Sequence, residues 1–237
     1  MEQSPNRVAL VTGASQGLGL ALTEALADRG WSIVVDARDA RTLNAAMARL
    51  PEEVVVVVVP GDVSDPAHRA ALARAATALG PVSLLVNNAS TLGASPLPRL
   101  DAIDVATFER IFAVNVIAPI ALVQALAGNL APNATIVNVT SDAAVEPYEG
   151  WGGYGSSKAA LEHASRVLAA EREDLRVLIV DPGDMRTQMH QDAFPGEDIS
   201  DRPEPSVSVP GFIELIEGTQ PSGRYQARAL TPAGAQR

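Results

Sequence analysis

The sequence predicts a doubly wound parallel α/β sheet in a single domain, and three observations carry that expectation. Short runs rich in Val, Ile and Leu alternate with longer Ala/Leu segments of helical period, the pattern of repeated strand-helix crossovers. The 237 residues are 47% hydrophobic but only 4% aromatic, which suits one large aliphatic core between helices and a sheet. A glycine-rich turn follows the first strand directly and opens a helix.

The elements follow in order. Val8–Thr12 reads as the first strand, and the helix near Leu18–Arg29 places Leu18, Leu22, Ala25 and Leu26 on one face. Ser32–Asp36 and Val54–Val59 are the next strands, separated by a helix over Arg41–Leu50, and the second of these stops at Pro60. A helix over Pro66–Leu79 leads to a strand at Ser83–Val86, and one long helix is expected over Val105–Asn129. The strands Thr135–Val139 and Arg176–Val180 flank a helix over Tyr154–Glu173, and a last strand is expected over Arg224–Leu230. This is a Rossmann-like arrangement.

The stretch Asp184 to Pro210 breaks the rhythm, being rich in Pro, Asp and Glu with scattered Met189 and Phe194. It reads as a lid near residues 184–210, beside a cleft at the carboxyl ends of the strands, or as plain disorder. No repeat or low-complexity linker divides the chain, so residues 1–237 are expected to form a single Rossmann-like domain, frayed after Leu230.

Composition removes several functions. With 28 acidic against 18 basic residues the net charge is -10, which argues against nucleic acid or an anionic membrane as a partner. An anionic cofactor must then be held locally. The absence of cysteine removes disulfides, thiolate metal sites and Cys nucleophiles, and no metal site is expected. Met1 to Arg7 is short and polar, unlike a signal peptide, and no apolar run approaches the roughly 20 residues of a membrane helix, so a cytoplasmic location is expected.

The turn Thr12-Gly13-Ala14-Ser15-Gln16-Gly17-Leu18-Gly19 lies between strand and helix. Glycine permits positive φ and close backbone approach, and the free N–H groups of a helix start favour a pyrophosphate. Gly13 and Gly17 would shape the turn, and Gly19 would let the helix pack on the strand. The same residues match the Gly-x-Ser-x-Gly elbow of serine hydrolases, with Ser15 as nucleophile. That elbow belongs deep in a sheet, however, and needs a late loop histidine; of His68, His163 and His190, only His190 is expected in a loop.

Tyr154-Gly155-Ser156-Ser157-Lys158 opens a predicted helix, so a phenol and an ammonium four residues apart share one face. An isolated tyrosine ionises near pH ~10; a neighbouring ammonium and an oxidised nicotinamide would both favour its phenolate. Ser141 lies thirteen residues earlier, at the end of an apolar strand, where a hydroxyl can meet a substrate oxygen as charge develops or can simply cap a turn.

These residues, with Asn87-Asn88-Ala89, Asn115 and Pro182-Gly183 followed by Thr187, resemble the short-chain dehydrogenase/reductase family in order and spacing, over roughly the first three quarters of the chain. The resemblance implies a catalytic tetrad of Asn115, Ser141, Tyr154 and Lys158. In it Tyr154 is the acid/base, Lys158 holds the ribose hydroxyls and depresses the tyrosine pKa, Ser141 orients the carbonyl, and Asn115 steadies a water of a proton relay. It implies a nicotinamide cofactor held by Gly13, Ser15, Gln16, Gly17, Leu18 and Gly19 at the phosphates, by Asp62 and Val63 at the adenine, and by Asn88 at the adenine-side ribose. Tyr154, Lys158, Pro182, Gly183 and Thr187 would hold the nicotinamide end.

The second strand ends Val34-Val35-Asp36-Ala37-Arg38, and the family's NAD-selecting acid usually falls where this chain has Ala37. Arg38 is then positioned for a 2′-phosphate, which predicts NADP over NAD, with NAD possible. The implied activity is the interconversion of a small-molecule alcohol and a ketone or aldehyde by a homodimer or homotetramer; the alternative is a catalytically silent nucleotide-binding module. Two departures from the family pattern stand out: Ser90 in place of the glycine that usually follows Asn-Asn-Ala, and Asp184 directly after Pro182-Gly183. Glu146, Tyr148, Trp151, Met185, Met189 and Phe194 surround the catalytic segment and are candidates for the substrate pocket.

Overall fold

The computed structural model describes residues 7–230, so the expected fraying after Leu230 lies outside the described residues. Its strands are β1 (Val8–Val11), β2 (Ser32–Val35), β3 (Val56–Val58), β4 (Val82–Asn87), β5 (Leu130–Val139), β6 (Arg176–Asp181) and β7 (Gly223–Gln226). All pair in parallel, in the order β3-β2-β1-β4-β5-β6-β7. The order reverses between β1 and β4, which opens a crevice at the carboxyl ends of those strands.

Helices cover both faces: α1 (Gly17–Ala27), α2 (Ala40–Met47), α3 (Pro66–Leu79), α4 (Val105–Phe112), α5 (Ala118–Leu126), α6 (Gly152–Glu171), α7 (Gln188–Ala193) and α8 (Val209–Glu217). Successive strand residues point to opposite faces. In β1, Ala9 and Val11 join the core shared with α1, α2 and α8, while Val8 and Leu10 join the core shared with α3 and α5. A strand buried on both sides reads as an unbroken apolar run, as β1 and β2 do.

Three expectations need correction. The single helix over Val105–Asn129 is three pieces, because a π turn at Ala113–Ile117 separates α4 from α5. There Ala118 N–H bonds the carbonyl of Ala113, and Pro119 has no N–H to give the Asn115 carbonyl its usual partner. The run Val105–Leu126 is, against expectation, long and apolar enough by composition to cross a membrane, with a mean hydropathy of 1.6. It places Ile111, Val114, Leu122, Val123 and Leu126 in the core.

The stretch 184–210, expected as a lid or as disorder, contains α7, a 3₁₀ turn at Pro205–Val207 and the start of α8. Arg186 N–H donates to the Pro203 carbonyl, its guanidinium pairs with Glu204, and Arg228 holds the Asp184 carbonyl. Finally, β7 ends at Gln226 and turns into a 3₁₀ helix over Ala227–Leu230. Gly211 of α8 lies so close to the Ala227 carbonyl that a Cβ there would sit 1.8 Å from its oxygen, which locks this turn onto α8.

The first crossover is equally tight. A Cβ on Gly19 would lie 2.2 Å from the Gly13 carbonyl oxygen, an atom of the backbone that cannot swing aside. Gly19→Ala is therefore expected to destabilise the protein by about 1–3 kcal/mol through overpacking, despite the better helix propensity of alanine. Urea denaturation of the two proteins measures this, and an equally or more stable variant would refute the packing argument.

Candidate active site

The glycine turn is held from two sides. Gly13 and Gly17 have φ of 70° and 58°, the region that favours glycine. Asp36 accepts from Gly13 N–H through Oδ1 at 2.9 Å, and its carbonyl accepts from Ala14 N–H at 2.8 Å. From the β4 side, Asn88 Nδ2 donates to the carbonyls of Thr12 and Gly13 at 2.9 and 3.2 Å. The helix that follows differs from its neighbours: α2, α3 and α4 are each capped by an aspartate side chain (Asp39, Asp65, Asp104), whereas α1 has no side-chain cap and no acid in its first turn. Its leading N–H groups face the crevice, as an anion site requires.

Asp36 is buried, and both its oxygens are held by the protein, the second by His68 Nε2 at 3.1 Å. Burial raises its pKa against the opposing hydrogen bonds of His68 and Gly13. Two residues on, Arg38 is exposed on the cleft rim, and the Asp39 carboxylate is occupied in capping α2 through Thr42. Asp62 lines the same region with its oxygens taken by Arg110 and by Ser64. Burial pushes its carboxyl up, but those partners outweigh burial and hold it at about 2.

At the other end of the cleft Tyr154 and Lys158 stand one turn apart on buried positions of α6. Lys158 Nζ donates to the Val139 carbonyl at 2.9 Å and lies 5.5 Å from the centre of the Tyr154 ring. Burial lowers the ammonium to about 8. Burial also raises the phenol above its ordinary range, helped by the Asp181 and Asp142 carboxylates and opposed by the hydroxyls of Ser90 and Ser141. In the chain alone, desolvation dominates both groups.

Ser141 follows β5 by two residues. Its hydroxyl opposes the rise of the phenol pKa and caps a 3₁₀ turn, accepting from Ala143 N–H at 3.2 Å and donating to Asp142 Oδ1 at 2.8 Å. Behind it, Arg224 of β7 donates to the Ser141 carbonyl, to the buried Glu162 and to the buried Asp181, a brace that sequence reading missed. Asn115 is fully buried on the π turn, and its side-chain amide is fully used. Nδ2 donates to the Thr91 carbonyl and Ser157 Oγ, while Oδ1 accepts from Thr91 N–H and Ser90 Oγ. The side chain therefore has no bond left for a relay water.

A cleft of about 1040 Å³ joins the two ends. Gly13, Ser15, Gln16, Gly17, Leu18, Arg38, Asp62, Val63, Asn88, Tyr154, Lys158, Pro182 and Thr187 line it, as expected of a single binding surface. Gly19 and Asn115 lie behind its wall, Ser141 is drawn towards its own turn, and Gly183 packs against Arg228 instead. Thr187 approaches Gly17, so the lid closes over the glycine turn. On the substrate side Met185 and Met189 line the cleft, and Trp151 meets both Tyr154 and Phe194 ring to ring. Glu146 and Tyr148 are exposed and off the wall, Tyr148 bonding Asp142. Asp184 is occupied within the lid, near Arg202 and Arg228.

The hydrolase alternative finds no support: His68 is paired with Asp36, His163 is exposed on α6, and His190 lies on α7 rather than in a loop, its ring on Phe194, so none of the three is hydrogen-bonded to Ser15. A doubly wound sheet with an uncapped helix at its first crossover and a buried phenol-ammonium pair across the cleft has the architecture of a dinucleotide-binding α/β protein. The chain belongs to the short chain dehydrogenase family, whose sequence profile matches residues 7–198, and it is an oxidoreductase of that family. It is 32% identical over 214 residues to an L-xylulose reductase of Caenorhabditis elegans, covering 88% of this chain and 83% of the relative. Among solved structures it is similar to a short chain dehydrogenase from Salmonella enterica serovar Typhi, with a TM-score of 0.86, 27% identity, and 94% and 96% of the two chains covered. A Shigella flexneri structure complexed with NADP gives a TM-score of 0.84 at 26% identity, with 94% and 97% covered.

Proposed function

We propose that this protein interconverts a small-molecule alcohol and a ketone or aldehyde with NADP(H), Tyr154 serving as the acid/base. The observation that carries this reading is one continuous cleft with the glycine turn at one end and the Tyr154 phenol, flanked by two serine hydroxyls, at the other. The residues fit a dinucleotide: the turn offers backbone N–H groups, and a side chain at Gly13 would collide with Ala89 and Asn88 in the floor of the cleft. When bound, the nicotinamide supplies or accepts the hydride.

In the reduction direction Tyr154 gives its proton to the substrate oxygen, and Ser141 orients the carbonyl beside it. Lys158, held on the Val139 carbonyl, carries positive charge beside the ribose and the phenolate at neutral pH. Asn115 acts by position: it bonds Ser157, whose hydroxyl donates to the Tyr154 carbonyl at 2.6 Å, and so steadies the turn of α6 that carries the phenol. The trapped Asp36 and the exposed Arg38 support NADP over NAD. Val105, Ile117 and Val167, exposed on α4, the π turn and α6, support homo-oligomer contacts through these helices.

A panel of alcohols and carbonyls, assayed with both cofactors by the absorbance of the reduced nicotinamide, tests the reading. Hydride transfer on at least one carbonyl with NADPH is expected. Failure with both cofactors, while NADPH still binds, would make the protein a nucleotide-binding module instead.

A further inference from the structure

Ser90 follows Asn87-Asn88-Ala89 at the end of β4 and is half-buried in the wall of the cleft. Its hydroxyl donates to Asn115 Oδ1 at 3.1 Å, and it shares the cleft wall with Tyr154, whose phenolate its hydroxyl favours. The phenol thus has two serine neighbours, and their protons are not equally available. The Ser141 proton is held by a carboxylate, Asp142 Oδ1 at 2.8 Å. Hydrogen bonds to ionised acceptors are roughly twice as strong as neutral ones. The Ser90 proton is held only by a neutral amide oxygen, and that oxygen keeps a second donor, Thr91 N–H at 2.9 Å, when Ser90 turns away. Turning Ser90 breaks a neutral hydrogen bond and leaves Asn115 Oδ1 its Thr91 donor, whereas turning Ser141 breaks a charge-assisted one, Asp142 Oδ1 then keeping only Ala143 N–H.

We propose that Ser90 is a second working hydroxyl of the site, which swings from Asn115 Oδ1 to the Tyr154 oxygen when that oxygen loses its proton. The inference rests on Tyr154 being the acid/base. In the reduction direction the Tyr154 O–H bond breaks, its proton forms the new O–H bond on the substrate oxygen, and the Ser90 O–H re-aims without breaking. Ser90 thereby shares with Ser141 the stabilisation of phenolate charge, and Asn115 gains a purpose for its otherwise saturated amide: it parks the Ser90 proton between turnovers.

The test compares wild type with Ser90→Ala, Ser90→Gly and Ser90→Thr. The pH profile of kcat/KM for alcohol oxidation is measured on the best substrate of the panel above, together with ultraviolet titration of phenolate absorbance at saturating NADP+, from which the signal of Tyr154→Phe is subtracted. Loss of one net hydrogen bond to the phenolate should move both the profile limb and the titration up by about half to one pH unit in Ser90→Ala and Ser90→Gly. Ser90→Thr should return them to the wild-type position, and NADPH affinity should stay within about threefold, since no charge-assisted contact to the cofactor is removed. A wild-type limb and titration in both hydroxyl-free variants would overturn the proposal. If Tyr154→Phe is inactive in that case, the acid/base reading stands and only the role of Ser90 falls; an active Tyr154→Phe would remove both.

Discussion

Tyr154→Phe is expected to lower turnover by a factor on the order of 10²–10⁴, the range that positioned general acid–base catalysis contributes, while NADPH binding changes little. The reason lies in how the ring is held. Tyr154 is 8% exposed, packs with Leu92 and Ala143 and meets Trp151 edge-on, so phenylalanine keeps the packing and removes one oxygen. The remaining hydroxyls cannot substitute for it. Ser141 and Ser90 have alcohol pKa values far above that of a phenol, and Lys158 is directed at the Val139 carbonyl. Steady-state kinetics on the best panel substrate, with NADPH affinity from the quenching of tryptophan fluorescence, separates the two effects. Retained turnover in the variant would show that another group carries the proton.

Arg38→Ala is expected to lower catalytic efficiency with NADPH by about one to two orders of magnitude and to leave NADH within about threefold, the loss of one charge-assisted hydrogen bond. Two features make the expectation sharp. The Asp36 carboxylate, which could repel a 2′-phosphate, is instead tied to Gly13 N–H and His68. The Asp39 carboxylate is tied to Thr42 at the start of α2. Arg38 thus stands on the rim between two acids whose oxygens face their own hydrogen-bond donors. Measuring kcat/KM with both cofactors in both proteins decides the matter; an unchanged ratio would refute the assignment of Arg38.

The order of strands and helices was readable because each element announces itself within a few residues. Apolar runs of four to six residues gave β1, β2, β4 and β6 to within about a residue at most ends, and α3 came out with its bounds unchanged, since Asp65 and Pro66 mark its start and Gly80 its end. The break at Asn115 was harder. The sequence there continues a good helical pattern, and only Pro119, four residues on, withdraws the hydrogen bond that would have kept the helix regular. Helix α8 went unseen because its first residues continue a Pro-rich stretch, although Phe212, Ile213, Leu215 and Ile216 are all buried.

Local pattern was enough to place the glycine turn, Tyr154 with Lys158, and Ser141 at one end of a parallel sheet, because strand ends and helix starts fall at the same edge in this topology. It could not say which way a side chain points once there. Asp36 is turned inward by His68, 32 residues away; Asn115 is saturated by Ser90, Thr91 and Ser157; and Ser141 is braced by Arg224, 83 residues along the chain. These partners are chosen by packing, where a buried polar atom must find a donor or acceptor among whatever neighbours the fold supplies. Ser90 shows the division most clearly. The sequence marked it only as an odd residue after Asn-Asn-Ala, and only the tertiary structure sets its hydroxyl on the Asn115 amide oxygen in the wall of the cleft that Tyr154 also lines.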